Sequence, residues 1–492
     1  MNRQLARVAG VAMSLLVSLV VATTYWQTWA RPALADRQDN EIQLVAQFAI
    51  ERGEITGEGR LLARNRVEKV KGRTLYFRRY PQGKLTAHAV GYSTQSRARA
   101  GLERSLNDYL TASNENLSTF VDRSLDRLRG RPVHGNDVRL TLDLDAQRIA
   151  LEQLGSRCGA VAVIDPRSGR VKVLASSPSY DPNLVESKFG LIARITADCR
   201  PAAPLLNRAS AGLYPPGSIF KVVTASAALE SKKFTPSSTF YDPGYCIAYG
   251  KRVNNFDTSR PFGNVSLVTA LQYSVNSVFC SIGQKLGAKT ILDQARRFGF
   301  YEPPPLETPE GERRASGLYQ GRKLYYPKRN SDVDAGRMAF GQERMLVTPL
   351  QMAMVAGAVG NGGILMKPFL VDRIAAPDGK VIVKTKPTKL GRSVSPETAG
   401  DVGEMMVRAV QGGTGTAAQL SGYRVGGKTG TAETGFAGRN TTWFIAFAGP
   451  EGEKPRLAIA VVLEGQSGTG GATAAPIARA VMQALLAPGA NT

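Results

Sequence analysis

The sequence GAVAVIDPRSGRVKVLAS, at residues 159–176, gives the clearest indication of the fold. Two apolar, β-rich runs, Gly159–Asp165 and Arg170–Ser176, flank a short loop of turn-forming residues. This arrangement is typical of a β-hairpin. Further strand-like runs close the chain, and an Ala-rich helical pattern follows them at Ala475–Leu486. These later runs are Gly426–Ala432, Thr441–Ala448 and Arg456–Leu463.

Helical patterns fill much of the chain between the hairpin and the closing strands. They are predicted at Ser218–Glu230, Leu267–Leu286, Pro349–Val359 and Pro396–Gln411. Strands at both ends of a segment, with helices between them, indicate an α+β domain. We therefore predict that residues 138–490 form an antiparallel sheet assembled from distant parts of the sequence and flanked by helices.

The segment before this domain alternates short strand-like pieces, such as Arg73–Arg78, with turns such as Tyr80–Gly83. Around residues 132–137 the composition turns to Pro, Gly and Asn, which indicates a domain boundary, and Val138–Asp143 follows as a strand. We predict a pedestal domain over residues 36–135. Its helical patterns are Asp36–Ile50, Ser105–Leu110 and Leu117–Leu128.

The N-terminus predicts a membrane anchor, because Val8 to Ala30 is free of charge over 23 residues and Arg3 and Arg7 precede it. About 20 apolar residues span a bilayer, and basic residues favour the cytoplasmic side. We predict residues 1–7 in the cytoplasm, residues 8–30 as the single transmembrane segment, and an extracytoplasmic body at the cell membrane. The alternative is a cleaved signal peptide, since Ala33-Leu34-Ala35 offers a small-residue site.

The length and the formal charge of the chain limit its possible functions. A chain of 492 residues exceeds the roughly 250 to 300 residues of a single core, so we expect two folded domains. The formal charge of +23 is spread along the chain rather than gathered in one stripe, which argues against nucleic acid as the partner. Outside a membrane, the partners of such charge are anionic lipids or wall polymers, and the alternative is a generally solvated basic surface.

Several enzyme classes are excluded by missing residues. The chain has two histidines, His88 and His134, and both lie in or at the edge of the pedestal. A Ser-His-Asp triad inside the second domain is therefore excluded, unless a pedestal histidine reaches across. Zinc hydrolase patterns with neighbouring histidines are absent, and so is a phosphate-binding Gly-rich loop, so we expect neither metal nor cofactor.

A serine activated by lysine remains, and Pro215-Pro216-Gly217-Ser218-Ile219-Phe220-Lys221 supplies it. The prolines and the glycine predict a turn, with a helix starting at the serine. Residues three apart share a helix face, so Lys221 can lie one turn above the Ser218 hydroxyl. The unpaired N–H groups of a helix N-terminus also favour negative charge on an acyl oxygen.

A lysine acts as a base only when it is neutral, and burial beside another cation lowers its pKa. The segment Lys428-Thr429-Gly430-Thr431 supplies that second cation. The glycine lets a substrate backbone approach closely, and the hydroxyls and the ammonium suit a carboxylate. We predict these four residues as the substrate-binding set.

The third motif is Ser274-Val275-Asn276, on a helix-like stretch that begins near Leu267. Ser274 can relay a proton between Lys221 and a leaving amine, while the Asn276 amide can orient the lysine and hold substrate. Each motif alone is weak. In this order, with 56 residues from Ser218 to Ser274 and 154 from there to Lys428, they form a strong combination.

With these three motifs the chain resembles the class B penicillin-binding proteins, which are monofunctional peptidoglycan D,D-transpeptidases, and among them the actinobacterial penicillin-binding protein A group. The fold implied is a penicillin-binding, serine β-lactamase-like transpeptidase domain on an N-terminal pedestal. The supporting matches are Pro178–Asn183, Gly341-Gln342, Val347–Pro349, Trp443-Phe444, Arg52-Gly53 and Gly101–Glu103.

The resemblance implies that Ser218 attacks the penultimate D-Ala carbonyl of a stem peptide and that a second stem amine resolves the acyl-enzyme into a cross-link. The N–H groups of Ser218 and Thr431 would hold the oxyanion. Lys428, Thr429 and Thr431 would receive the donor carboxylate. β-Lactams would acylate Ser218 covalently. The implied partners are stem peptides, lipid-linked precursors, a separate glycosyltransferase, and cell-division or elongation proteins.

Two other functions stay open at this point. In a D,D-carboxypeptidase or β-lactamase, water rather than an amine would resolve the acyl-enzyme. A non-catalytic β-lactam-binding scaffold would keep the fold with a dead site. The anchor and the pedestal favour the transpeptidase.

The four cysteines, Cys158, Cys199, Cys246 and Cys280, allow three disulfide pairings in an exported chain, and buried free thiols are the alternative. Cys280 lies four residues after Asn276, which departs from the family pattern. We advance a Cys246–Cys280 disulfide as a hypothesis, since it would stiffen this lobe.

Overall fold

The computed structural model describes residues 2–26, 48–70, 72–113, 134–257, 261–436 and 438–487. The described helices, α1 to α14 in chain order, are Asn2–Tyr25, Ala87–Val90, Gly101–Ser105, Asn107–Leu110, Leu144–Leu154, Phe189–Ala193, Lys221–Glu230, Leu267–Gln272, Asn276–Leu286, Ala288–Arg297, Ala335–Ala339, Pro349–Gly360, Pro396–Gly412 and Gly470–Leu486. The described strands, β1 to β22, are Ile55–Gly57, Arg60–Val70, Arg73–Arg79, Tyr92–Ser93, Arg99–Ala100, Asp137–Leu140, Gly159–Ile164, Val171–Ser177, Thr239–Asp242, Tyr245–Ala248, Lys251–Asn254, Gly263–Ser266, Gly317–Gln320, Lys323–Tyr325, Met345–Leu346, Ile364–Met366, Val371–Ala375, Val381–Lys384, Lys389–Arg392, Tyr423–Phe436, Arg439–Pro450 and Leu457–Gln466.

The predicted hairpin forms two of the five strands in the sheet of the larger domain. Strands β7 and β8 pair antiparallel, with Gly159 opposite Ser177, and β7 also pairs with β22 near the end of the chain. The resulting five-stranded sheet has the order β20-β21-β22-β7-β8, and each neighbouring pair is antiparallel. The α+β prediction, with a sheet assembled from distant sequence, is confirmed.

Both faces of this sheet are buried, which explains why its strands are almost continuously apolar. Alternate residues of β7 point to opposite faces: Ala160 and Ala162 pack with α12, whereas Val161 and Val163 pack with α14 and α5. Helix α12 is buried along nearly its whole length. At Gly360 a methyl group would lie 2.8 Å from the Phe447 Cβ, so a glycine lets helix and sheet approach.

The helix predictions meet with mixed outcomes. Those at Pro349–Val359 and Pro396–Gln411 are confirmed within one residue at their ends. The predicted helix Ser105–Leu110 is instead the two short helices α3 and α4. Helix Leu117–Leu128 and residues 36–47 of the predicted helix Asp36–Ile50 lie outside the described residues.

The N-terminal segment builds a second sheet, with the order β18-β17-β6-β1-β2-β3. Strands β17 and β18 come from residues 371–384, so this sheet joins the pedestal segment to a much later part of the chain. Strand β6 is the link, since it pairs parallel with β1 and antiparallel with β17. The domain limits 36–135 and 138–490 stay a prediction.

A buried charge cluster lies inside the pedestal. The Glu103 carboxylate lies 2.8 Å from the Arg52 guanidinium and 2.6 Å from that of Arg78, and its side chain is fully buried. Burial alone would raise the pKa of Glu103, but the two arginines outweigh it and lower that pKa. The matches Arg52-Gly53 and Gly101–Glu103 thus include two members of one buried ion network.

Helix α1 fits a membrane anchor. Its segment Arg7–Tyr25 is 19 residues long and apolar enough to cross a bilayer, and it contacts no other part of the described chain closely enough to be buried. A signal sequence near an N-terminus has the same properties.

The cysteine hypothesis is wrong. Cys158 and Cys199 form a disulfide with Cα atoms 5.8 Å apart, whereas Cys246 and Cys280 are free thiols. Cys246 and Cys280 do lie side by side. A hydrogen bond from the Cys280 thiol lowers the pKa of Cys246. The position of Cys280 near Asn276 in the sequence therefore did not indicate a disulfide. The observed disulfide instead joins Cys158, just before β7, to the loop that carries Cys199.

We predict that Glu103→Gln lowers the free energy of unfolding by about 3–5 kcal/mol, because two buried guanidinium groups then lack their counter-charge. The measurement is chemical unfolding of the full-length protein in detergent. Asp145→Asn is the matched control, since Asp145 pairs with Arg60 at the surface and its loss should change stability far less. Equal effects of the two substitutions would contradict the assigned role of the buried cluster.

Candidate active site

Ser218 lies on a tight turn that two hydrogen bonds hold in place. Gly217 adopts a left-handed φ of 53°, and its N–H donates to the Gly341 carbonyl at 2.9 Å. A methyl group at Gly341 would lie 1.9 Å from the Gly217 oxygen, so only glycine fits there. The buried Trp443 indole donates to the Pro215 carbonyl at 2.9 Å. Ser218 itself is half-buried.

Lys221 follows the 3₁₀ turn Gly217–Phe220 directly and is the first residue of α7. Side chains three apart eclipse in a 3₁₀ turn, so this local geometry favours Ser218 and Lys221 on the same side. The sequence predicted an α-helix from Ser218, and only its first turn differs. Lys221 is fully buried. Its Nζ lies 2.6 Å from the Ser274 carbonyl oxygen, 3.2 Å from Ser274 Oγ and 2.7 Å from Asn276 Oδ1.

Ser274 does not lie on a continuous helix, so the predicted helix Leu267–Leu286 is wrong in its middle. Helix α8 ends at Gln272, Ser274 has a φ of 61°, and α9 begins at Asn276. The left-handed residue turns the chain so that both the carbonyl and the hydroxyl of Ser274 face Lys221. A continuous helix would direct that carbonyl along its own axis.

Lys428 approaches Ser274 from the other side. Its Nζ donates to Ser274 Oγ at 2.8 Å and to the Thr429 carbonyl at 2.9 Å. Burial lowers the pKa of Lys428 to about 7. The pKa of Lys221 is lowered well below its usual value, first by burial and then by the charge of Lys428. Two buried ammonium groups around one hydroxyl repel each other, which disfavours the charged form of Lys221.

The protonation states decide the direction of the hydrogen bonds. A charged Lys428 has only donors, so Ser274 Oγ accepts from it. A neutral Lys221 has one lone pair, and its N–H groups are directed to the Ser274 carbonyl and Asn276 Oδ1, which are acceptors. Its lone pair stays available, and once Lys221 has taken up a proton it can donate to Ser274 Oγ, 3.2 Å away. Ser274 therefore connects the two lysines through one continuous proton path.

Strand β20 carries Lys428, Thr429, Gly430 and Thr431 along the edge of the sheet. Because β20 pairs on one side only, alternate N–H groups face away from the sheet. A methyl group at Gly430 would lie 2.9 Å from the Pro216 oxygen, so glycine lets the strand approach the serine turn. Thr431 Oγ1 accepts from the Gly470 N–H at 3.2 Å.

Hydrogen bonds link Lys221, Ser274, Asn276, Lys428 and Thr429, and the turn that carries Ser218 approaches the backbone of Gly430 and Thr431. The roles of these eight residues stay a prediction. Sequence reasoning missed Thr414, whose Oγ1 lies 2.6 Å from Thr429 Oγ1. The signal was the Gly412-Gly413-Thr414-Gly415 run, in which a methyl group at Gly413 would lie 2.4 Å from the Gln272 oxygen. A glycine-rich run thus marked another close approach to the site.

Neither histidine joins the site. His88 is buried, its Nε2 lies 2.8 Å from the Pro204 carbonyl oxygen, and burial lowers its pKa to about 4. His134 pairs with Glu51 at 2.9 Å. Both histidines thus have partners outside the lysine network.

The site has a serine on a turn at a sheet edge and, three residues later, a buried lysine of lowered pKa that shares a hydroxyl with a second lysine. This arrangement is typical of enzymes that pass an acyl group through a serine ester. Comparison with known proteins narrows this class. The family described as the penicillin binding protein transpeptidase domain matches residues 159–483, and the penicillin binding protein A dimerisation domain matches residues 52–138. The chain belongs to the penicillin-binding protein transpeptidase family.

Similar proteins share nearly the full length. The peptidoglycan D,D-transpeptidase PbpA of Mycolicibacterium smegmatis is 34% identical over 99% of this chain and 100% of its own. PbpA of Mycobacterium tuberculosis is also 34% identical, over 99% of each chain. The ceftriaxone acyl-enzyme of penicillin-binding protein A from M. tuberculosis superposes with a TM-score of 0.78 at 32% identity, covering 89% of this chain and 99% of that one.

We predict that Gly430→Ala lowers the rate of acylation by β-lactams at least about tenfold, because the added methyl displaces β20 from the serine turn and a shift near 1 Å can cost up to about 10²-fold. The measurement is the acylation rate with a fluorescent penicillin. Gly400→Ala is the control, since Gly400 lies in α13 with nothing within 4 Å of an added methyl. An unchanged rate in Gly430→Ala would show that the close approach is dispensable.

Proposed function

We propose that this protein is a peptidoglycan D,D-transpeptidase in which Ser218 is the nucleophile and Lys221 its base. The observation that carries the proposal is the hydrogen-bond network of Lys221, which is buried, has a lowered pKa and is linked to Lys428 through Ser274. A neutral amine above a serine hydroxyl can accept the proton that the hydroxyl must lose.

Acylation follows from this geometry. Ser218 Oγ attacks the penultimate D-Ala carbonyl of a stem peptide while Lys221 takes its proton. The C–N bond to the terminal D-Ala then breaks, and the proton passes from Lys221 through Ser274 to the leaving amine. Asn276 Oδ1 keeps the Lys221 amine oriented during both transfers.

The substrate-binding side is strand β20. Lys428 and the hydroxyls of Thr429 and Thr431 attract the terminal carboxylate of the donor. The N–H groups of Ser218 and Thr431 stabilise the oxyanion, an arrangement normally worth about 3–4 kcal/mol of barrier per donor. The edge position supports this role, because an extended peptide can add to an unpaired strand.

A second stem amine resolves the acyl-enzyme and forms the cross-link. The anchor and the pedestal support transfer to an amine rather than hydrolysis, since they hold the enzyme at the membrane where wall polymer is made. We infer a single-pass protein with residues 1–7 inside, residues 8–30 as anchor and an extracytoplasmic pedestal and transpeptidase domain. The Cys158–Cys199 disulfide fits that oxidising side.

The proposal also implies partners. A chain with one pedestal and one transpeptidase domain needs glycan strands made by a separate glycosyltransferase from lipid-linked precursors. Cell-division or elongation proteins would bring the enzyme to the site of wall synthesis.

We predict that wild-type protein incubated with benzylpenicillin gains the mass of one penicilloyl group, that the adduct persists over minutes, and that Ser218→Ala gains none. Intact-mass spectrometry of detergent-solubilised full-length protein makes the measurement. Ser210→Ala is the control variant, since Ser210 is buried and donates to the Glu312 carbonyl, away from the lysines. Rapid loss of the adduct would favour a β-lactamase, and no adduct on folded wild type would favour a non-catalytic scaffold.

We predict a bell-shaped pH profile for acylation by a β-lactam. The rate rises as pH increases through the lowered pKa of Lys221, because the base must be neutral. It falls as pH increases through about 7, the pKa of Lys428, because the carboxylate then loses its cation. Lys428→Arg should react more slowly yet lose the descending limb, since a guanidinium stays charged. A descending limb that Lys428→Arg leaves in place would refute this assignment.

A further inference from the structure

Asp242 is a fully buried carboxylate at the end of β9, outside the motifs that define the site. It accepts hydrogen bonds from Ser277 Oγ at 2.5 Å, the Gly244 N–H at 2.8 Å and the Phe262 N–H at 2.9 Å. The Asn255 amide donates to both of its oxygens, at 2.8 and 2.9 Å. Four residues from separate turns thus converge on one side chain.

The carboxylate is held in its charged form. Burial alone would raise the pKa of Asp242, but these hydrogen bonds, that of Ser277 foremost, outweigh burial and lower it. A negative charge at this place also suits the N-terminus of α9, where N–H groups have no partner within the helix. The N-cap residue of α9 is Val275, which offers no side-chain cap. Asn255 and Asp242 together replace that missing cap, since Asn255 Oδ1 accepts from the Ser277 N–H at 3.1 Å.

The network ends at a residue that touches the proposed base. Asn276, the first residue of α9, donates from Nδ2 to the Asn254 carbonyl at 2.9 Å and accepts from Lys221 Nζ at 2.7 Å. Asn254 and Asn255 are adjacent, so one short segment holds both Asn276 and Ser277. Asp242 in turn fixes that segment through the Asn255 amide.

We propose that Asp242 is a positioning residue for acyl transfer, which fixes the first turn of α9 through Asn255 and Ser277 so that Asn276 directs the Lys221 amine toward Ser218. This inference rests on the proposed function, because it assigns Asp242 to the reaction of that site. Asp242 touches neither Ser218 nor Lys221, and it acts only through Asn276.

The first variant is Asp242→Asn, which keeps the shape of the side chain. Either orientation of the new amide turns an NH₂ group toward a backbone N–H, so at least one of the bonds from Gly244 and Phe262 is lost. We expect acylation by a fluorescent penicillin to slow by about 10- to 100-fold, the range for a small displacement of a catalytic group. The full-length protein in detergent is used, and thermal unfolding shows that the assay temperature is well below Tm.

The matched control is Asp143→Asn. Asp143 is also a buried carboxylate at a helix start, where it accepts from the Ala146 N–H at 2.9 Å, but α5 lies behind the sheet. We expect this variant to lose stability and to acylate at the wild-type rate. A loss of rate in proportion to lost stability in both variants would overturn the proposal.

A double-mutant cycle with Asn276→Ala separates positioning from general loosening. If Asp242 acts through Asn276, adding Asp242→Asn to Asn276→Ala slows acylation by less than about threefold, far below its effect alone. Additive effects would overturn the proposal. Should Asp242→Asn fail to fold, Ser277→Ala takes its place in the cycle, because it removes only the hydroxyl bond to Asp242, and additivity there is equally decisive. Loss of the adduct in Ser218→Ala, measured in parallel, shows that the proposed function holds whichever result the cycle gives.

Discussion

The constraint on which the site depends is the burial of two lysines around one hydroxyl. In water both Lys221 and Lys428 would be charged, but burial disfavours the charged form of each side chain. Because only the Ser274 hydroxyl separates the two amines, repulsion also disfavours the state in which both are charged. The protein meets this constraint by supplying acceptors to Lys221 from Ser274 and Asn276, and no carboxylate of the described residues pairs with this lysine. A carboxylate would stabilise the ammonium and remove the base. The amide and carbonyl oxygens orient the amine while leaving its lone pair available.

The fold places these groups by bringing backbones unusually close. Lys221 is on a helix of the helical lobe, whereas Lys428 is on the edge of the five-stranded sheet, and the serine turn must contact both. Gly217, Gly341 and Gly430 permit that contact, since a methyl group at any of them would meet backbone atoms within about 3 Å. The Trp443 indole then ties β21 to the turn through Pro215. The site is therefore a junction of three segments, and its geometry depends on packing far from the reacting atoms.

This dependence sets the limit of prediction from sequence. The eight candidate site residues could be predicted because residue type and order carry the chemistry, and the hairpin at 159–176 could be predicted because its pattern is local. The break at Ser274 was not, since its left-handed backbone exists to meet Lys221, a contact 53 residues distant. The pairing of β17 and β18 with the pedestal sheet, and of Cys158 with Cys199, could not be predicted either, because each joins residues that are far apart in the sequence. Local patterns predict elements, whereas only the assembled chain decides which of them meet.

The lobe that carries Ser274 and Asn276 shows why polar contacts, rather than apolar packing, finish the site. Helix α9 buries Val278, Phe279 and Ile282, which fixes where its axis lies. Its outer neighbours cannot fix how the first turn is rotated, because Tyr241 and Phe256 are more than 70% exposed there. Apolar contacts are non-directional, so they tolerate small rotations of a helix end. Hydrogen bonds to Asp242 and Asn255 do not, because their strength falls steeply as the donor angle departs from linearity. Burial of the Asp242 carboxylate costs free energy. Its hydrogen bond with Ser277 nevertheless holds the first turn of α9 in the orientation in which Asn276 faces Lys221.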